Sequence, residues 1–146
     1  MKKSIIVFSI LLIIITATAF VGAGQATNPA EATFEKEFAG ATAVKWNEQK
    51  DFISASFNIS DSRVIAYFGY DGELLGTERN ILFNNLPLAV IKSINSRFGS
   101  ASIFNLVEYT AGTETFYKMY ADTPTKQLKL RVSQQGDIMI EQRTKK

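Results

Sequence analysis

The chain contains no cysteine and no histidine. Without cysteine there is no disulfide framework, no thiolate nucleophile and no attachment point for a bacterial lipid anchor. Without either residue the usual zinc ligands are missing, and so is the histidine general base. Proline is scarce, at 3 residues, and tryptophan occurs once, as Trp46. An excess of one charge is missing too. The 16 basic and 14 acidic residues give +2, but Lys2 and Lys3 lie in an opening segment that holds no acid. Beyond that segment 14 bases face 14 acids, which gives no electrostatic case for nucleic acid or an anionic membrane. No phosphate loop, dinucleotide fingerprint or metal-ligand spacing follows either, so no cofactor and no metal are expected.

What is present begins with a leader. Lys2 and Lys3 precede an apolar run from Ile5 to Ile15, broken only by Ser9, and small residues from Ala17 to Ala26 follow. That order is the signature of a secretory signal peptide over residues 1–26, cleaved after Ala23 or Ala26, which implies a periplasmic or secreted protein with no membrane contact after cleavage. The competing reading is an uncleaved anchor, since Ile5 to Ala23 spans 19 mostly apolar residues.

Two helix starts are marked, at Asn28-Pro29 and at Asn85-Leu86-Pro87, with Gly40 and Gly99 as stops. Phe34 and Phe38 share one face of the first helix; Val90, Ile94 and Phe98 share one face of the second. Residues 53–59, 63–68, 128–133 and 138–141 alternate apolar and polar, as half-buried antiparallel strands do. Asp71-Gly72 is a hairpin signal of the type I′ kind. Phe38-Ala39-Gly40-Ala41 resembles Phe98-Gly99-Ser100-Ala101 at an offset of 60, and later strands align at 64. The expected fold class is therefore α+β: two tandem helix-plus-antiparallel-strand units, about 28–80 and 84–142, forming one sheet with both helices on one face.

Phe34, Phe38, Ala41, Val44 and Trp46 resemble the opening of the PepSY-like, or beta-lactamase-inhibitor-like, domain. So do Ala66-Tyr67-Phe68 leading to Asp71-Gly72-Glu73-Leu74, and Leu86-Pro87-Leu88-Ala89-Val90 matches the start of that family's second helix. The resemblance covers most of residues 30–141 and departs at Gln135, where an aspartate is common before the glycine. It implies a small exported bacterial protein of tandem helix-plus-sheet units, in a family with no established enzymatic activity whose related PepSY modules are linked to peptidase inhibition. Fold similarity does not by itself transfer function.

The acids offer little chemistry. Glu31 and Glu35 share a helix face near an N-terminus, and Asp71 and Glu73 flank a turn. Asp61 and Asn58 fall short of the six to eight oxygens, approximately, that calcium takes. The outward strand face is more informative. Ile65 and Tyr67 align at the 64-residue offset with Lys129 and Arg131, and Ser54 and Ser56 with Lys118 and Tyr120. Tyrosine and arginine are enriched at binding surfaces, although strands favour tyrosine and isoleucine on ordinary faces too. The expected function is a non-catalytic exported module that binds an unidentified envelope or secreted protein through its open sheet face, as an inhibitor of a peptidase or other envelope protein. Its candidate site is Tyr67, Tyr120, Arg131, Lys118, Lys129 and Ile65. The competing readings are an enzyme working through carboxylates alone, such as a glycosidase, and a structural or stress protein of the envelope without a tight ligand.

Overall fold

The computed structural model describes residues 28–146. The leader expected at 1–26 lies outside the described residues. Asn28 accepts a hydrogen bond from the Ala30 amide at 3.0 Å and so caps α1 (Pro29–Glu37). Four strands follow: β1 (Thr42–Glu48), β2 (Ile53–Ile59), β3 (Ser62–Phe68) and β4 (Leu74–Asn80). A short 3-10 turn (Phe83–Asn85) leads into α2 (Leu88–Phe98), which ends at Gly99. Then come β5 (Ser102–Ala111), β6 (Glu114–Asp122), β7 (Lys126–Ser133) and β8 (Ile138–Lys145). Every strand pairs antiparallel with the next, so sheet order equals chain order from β1 to β8.

This architecture corrects the α+β expectation of two tandem helix-plus-strand units with both helices on one face. Of the described residues 53% are strand and 19% helix. The helices hold 9 and 11 residues, roughly 14 and 17 Å at 1.5 Å per residue. Eight strands span roughly 34 Å, so such helices are local covers on a mostly β fold, not a layer. Thr77–Asn80 of β4 pair directly with Val107–Thr110 of β5, and the sheet runs on. Phe38 and Phe98 also differ: Phe98 closes α2 and is buried, whereas Phe38 lies past the end of α1 and is half-buried.

Burial falls in two clusters. Ala30 and Phe34 of α1 meet Ile53, Ala55, Phe57, Val64, Ala66 and Phe68. The Phe34 ring stands edge-on to Phe57, with centroids 4.9 Å apart, and Trp46 packs on Phe34 at 5.3 Å. Leu86, Val90, Ile94 and Phe98 meet Leu106, Tyr117, Met119, Leu128, Leu130 and Val132.

The turns refine the sequence reading. Ser60 and Asp61 both have positive φ (46° and 61°) and form the two-residue turn between β2 and β3 that a type I′ hairpin needs. At Asp71-Gly72 only Gly72 has positive φ. There Gly69 N–H donates to Glu73 O and Gly72 N–H to Gly69 O, which closes a three-residue loop with its glycine in the left-handed region. The expected type I′ turn is therefore one strand pair upstream of where Asp-Gly suggested it.

Candidate binding face

Residues directly opposite on neighbouring strands share a face, so the register defines what lies away from the helices. One row runs Ser56, Ile65, Glu78, Tyr109, Phe116, Ser133 across β2 to β7. The next runs Val107, Lys118, Arg131, Met139 across β5 to β8. A third pairs Phe104 with Tyr120 and Tyr120 with Lys129.

All six residues expected at the site stand on this face, in two groups. Lys118 lies opposite Arg131 and Tyr120 opposite Lys129, a block on β6 and β7. Ile65 and Tyr67 lie on β3, with β4 and β5 between, roughly 14 Å away at the usual strand spacing. The sheet thus does not gather Tyr67, Tyr120 and Arg131 into one contact.

The β6–β7 block is built on aromatic stacks. Tyr109 and Phe116 are 5.2 Å apart and almost parallel, at 6°. Phe104 and Tyr120 stack at 5.5 Å and 19°. The Arg131 guanidinium lies 3.8 Å from the Phe116 centroid, and Lys118 Nζ lies 5.2 Å from that of Tyr109. Such contacts are worth about 0.5–1 kcal/mol when exposed and more when a partner excludes water. Glu141 holds both lysines, with Oε1 3.8 Å from Lys118 Nζ and Oε2 3.8 Å from Lys129 Nζ. Beside Arg131 and Phe116 a shallow cavity of about 520 Å³ opens, lined also by Ser133, Met139, Glu114 and Asp137.

The β3 group has a different character. Tyr67 packs edge-on to Phe52 at 5.5 Å. Burial and then the neighbouring Glu78 carboxylate push the Tyr67 phenol up to about 12. The same two causes, in the same order, raise Tyr109 from the other side of Glu78. On the opposite face of the sheet Arg79 Nε donates to Glu108 Oε1 at 2.6 Å, which holds Arg79 more firmly charged.

Tyr109, Phe116, Phe104, Glu78 and Glu141 belong to this face but escaped the sequence reading. The register between β5 and β6 slips by one residue between Phe104 and Val107, where Asn105 takes a φ of 49°. That bulge puts Phe104 and Tyr109 on one side although their spacing is odd, so simple alternation separates them. Trp46 is packed on one side only: it touches Phe34 and Phe68 but remains 37% exposed on the edge strand β1. Among the described residues no three acids gather where a metal ion would sit, and no helix is long and apolar enough to cross a membrane.

The chain matches no known family profile, and no curated protein matches it in sequence. Its fold does have solved counterparts. A BLIP-like protein from Bacteroides fragilis superposes with a TM-score of 0.70 at 20% identity, over 85% of this chain and 89% of that one. A DUF2874 family protein from Bacteroides uniformis gives 0.70 at 12% identity, over 83% and 90%. A protein from Bacteroides eggerthii, named as a candidate periplasmic protein, gives 0.69 at 14% identity, over 84% and 90%. At these identities the likeness is one of fold alone: the chain shares its fold with these three Bacteroides proteins, one of which is BLIP-like.

Proposed function

We propose that this chain is an exported, non-catalytic binding module that holds another envelope protein against its open sheet face, as an inhibitor of a peptidase or of another enzyme of that compartment. The observation that carries the reading is the stacked Tyr109–Phe116 pair with Arg131 lying on Phe116 and the cavity beside them. Large aromatic side chains and arginine are the usual anchors of protein interfaces. Lys118 and Lys129 are already tied to Glu141, so they serve the rim and chiefly affect association rate. The names of the structural relatives, one BLIP-like and one a candidate periplasmic protein, agree with export and binding.

The test is a capture from envelope extract with the purified protein as bait. The Tyr67→Ala, Tyr120→Ala, Arg131→Ala triple variant should stay folded, as its circular dichroism checks, but melt below the wild type, since none of the three is fully buried and each packs on an aromatic neighbour. It should lose the captured protein. Because Tyr67 stands apart from the other two, restoring Tyr67 alone should recover little, and restoring Tyr120 and Arg131 should recover most. A partner captured undiminished by the triple variant overturns the reading.

A further inference from the structure

We infer that the corner of the sheet where the β6–β7 turn meets the end of β8 is an anion site that takes a phosphate group. It lies apart from the stacked aromatic face and goes beyond the function proposed there. The register sets Lys126 directly opposite Lys145, and Leu128 opposite Arg143. Lys126 and Leu128 are two residues apart on β7, so Lys126, Lys145 and Arg143 project on one side of the sheet. They line a cavity of about 470 Å³ together with Thr125, Thr144 and Lys146.

Acids do not offset this cluster. Among the described residues Lys126, Arg143 and Lys145 form no ion pair, and Asp122 is committed to Lys146, with Oδ2 2.8 Å from Nζ. Like charges set directly opposite on a ladder are destabilising, and an anion between them reverses that penalty. The frame is fixed before any ligand arrives. Thr123 N–H and Thr123 Oγ1 both donate to Lys126 O, at 2.9 and 2.7 Å, and Lys126 N–H donates back to Thr123 Oγ1 at 3.2 Å. Lys146 N–H donates to Thr125 O, which ties the end of β8 to the same turn. A phosphate suits this donor set better than a carboxylate. Free in solution it brings close to two negative charges and three acceptor oxygens, against three cations, one of them a guanidinium fork, with Thr125 lining the same cavity. The phosphate is either free in solution or carried by a lipid headgroup, whose diester presents one negative charge and two free oxygens to the same cations.

The test is an amide chemical-shift titration of the purified protein with inorganic phosphate at constant ionic strength, with acetate as the control anion. Saturable shifts are expected at Thr125, Lys126, Thr144 and Lys145. The Lys126→Gln, Lys145→Gln variant should bind at least roughly tenfold more weakly, a loss of about 1.4 kcal/mol, and should melt no lower than the wild type, because a like-charge pair has been removed. If that variant folds poorly, Arg143→Gln is the substitute and should weaken binding in the same direction. A second arm uses flotation with phosphatidylglycerol vesicles. Saturable shifts with inorganic phosphate and no flotation support a soluble phosphate; flotation lost in the double variant supports a headgroup. Shifts that grow linearly, that acetate reproduces, or that the substitutions leave unchanged, together with no variant-sensitive flotation, overturn the site.

Discussion

Glu78 stands between two phenols, Tyr67 on β3 and Tyr109 on β5, and each is harder to ionise for it. Tyr67 starts from an ordinary value of 10.0 and is pushed up to about 12. The folded chain therefore keeps this proton where the unfolded chain loses it. The contribution to stability is complete below pH 10 and is lost as pH rises through about 12. Tyrosinate absorbance should show a late-ionising phenol, and Glu78→Gln should move it back only partway, because burial is the larger cause. Phe98 and Phe38 make a second comparison. Phe98→Ala should cost about 3–5 kcal/mol, and Phe38→Ala about half that because Phe38 is half-buried, as chemical denaturation would measure. The sequence could not separate these two. Both phenylalanines precede or adjoin a glycine at a helix end, and only the position of α1 relative to the sheet leaves Phe38 outside the full core. Phe34, Val90 and Ile94, by contrast, were legible, because helical spacing put each on the buried face.

Gly72 and Gly112 occupy hairpin turns of different character. Gly72 has φ +86°, and an added Cβ would lie 2.7 Å from the Pro29 carbonyl at the start of α1. Gly112 has φ +57° with nothing within 4 Å of such a Cβ. Gly112→Ala should therefore cost about 1–2 kcal/mol, the left-handed penalty alone. Gly72→Ala should cost clearly more, since α1 must shift away from the turn; comparing the two melting transitions checks it. Helix ends were easy to read because Asn28-Pro29, Leu86-Pro87 and Gly99 mark them with residue types favoured at helix ends. Strands carry no such marks, only alternation, and the bulge at Asn105 disrupts even that. Helices consequently weighed more in the sequence than in the protein, which is why the expected fold class overstated them. The four alternating strands read from sequence, β2, β3, β7 and β8, lie away from that bulge.

The two buried clusters lie under one uninterrupted sheet, joined across only four residue pairs between β4 and β5. Phe57→Ala should therefore cost about 3–5 kcal/mol and loosen β1 to β3 first. Native-state hydrogen exchange should show faster opening there, with Met119 and Leu130 amides on β6 and β7 slowest to follow. A uniform loss of protection through all eight strands would show that the clusters open as one. The order of the sheet has a mechanical corollary. Each strand bonds only to the strands just before and after it in the chain, so a pull on the two chain ends loads the ladder one hydrogen bond at a time, at the edges. The sheet should unzip strand by strand at low force where a sheared sheet would resist. Read in the opposite direction, a chain threaded end-first through a pore can close each hairpin as soon as it emerges, with no strand left waiting for a distant mate.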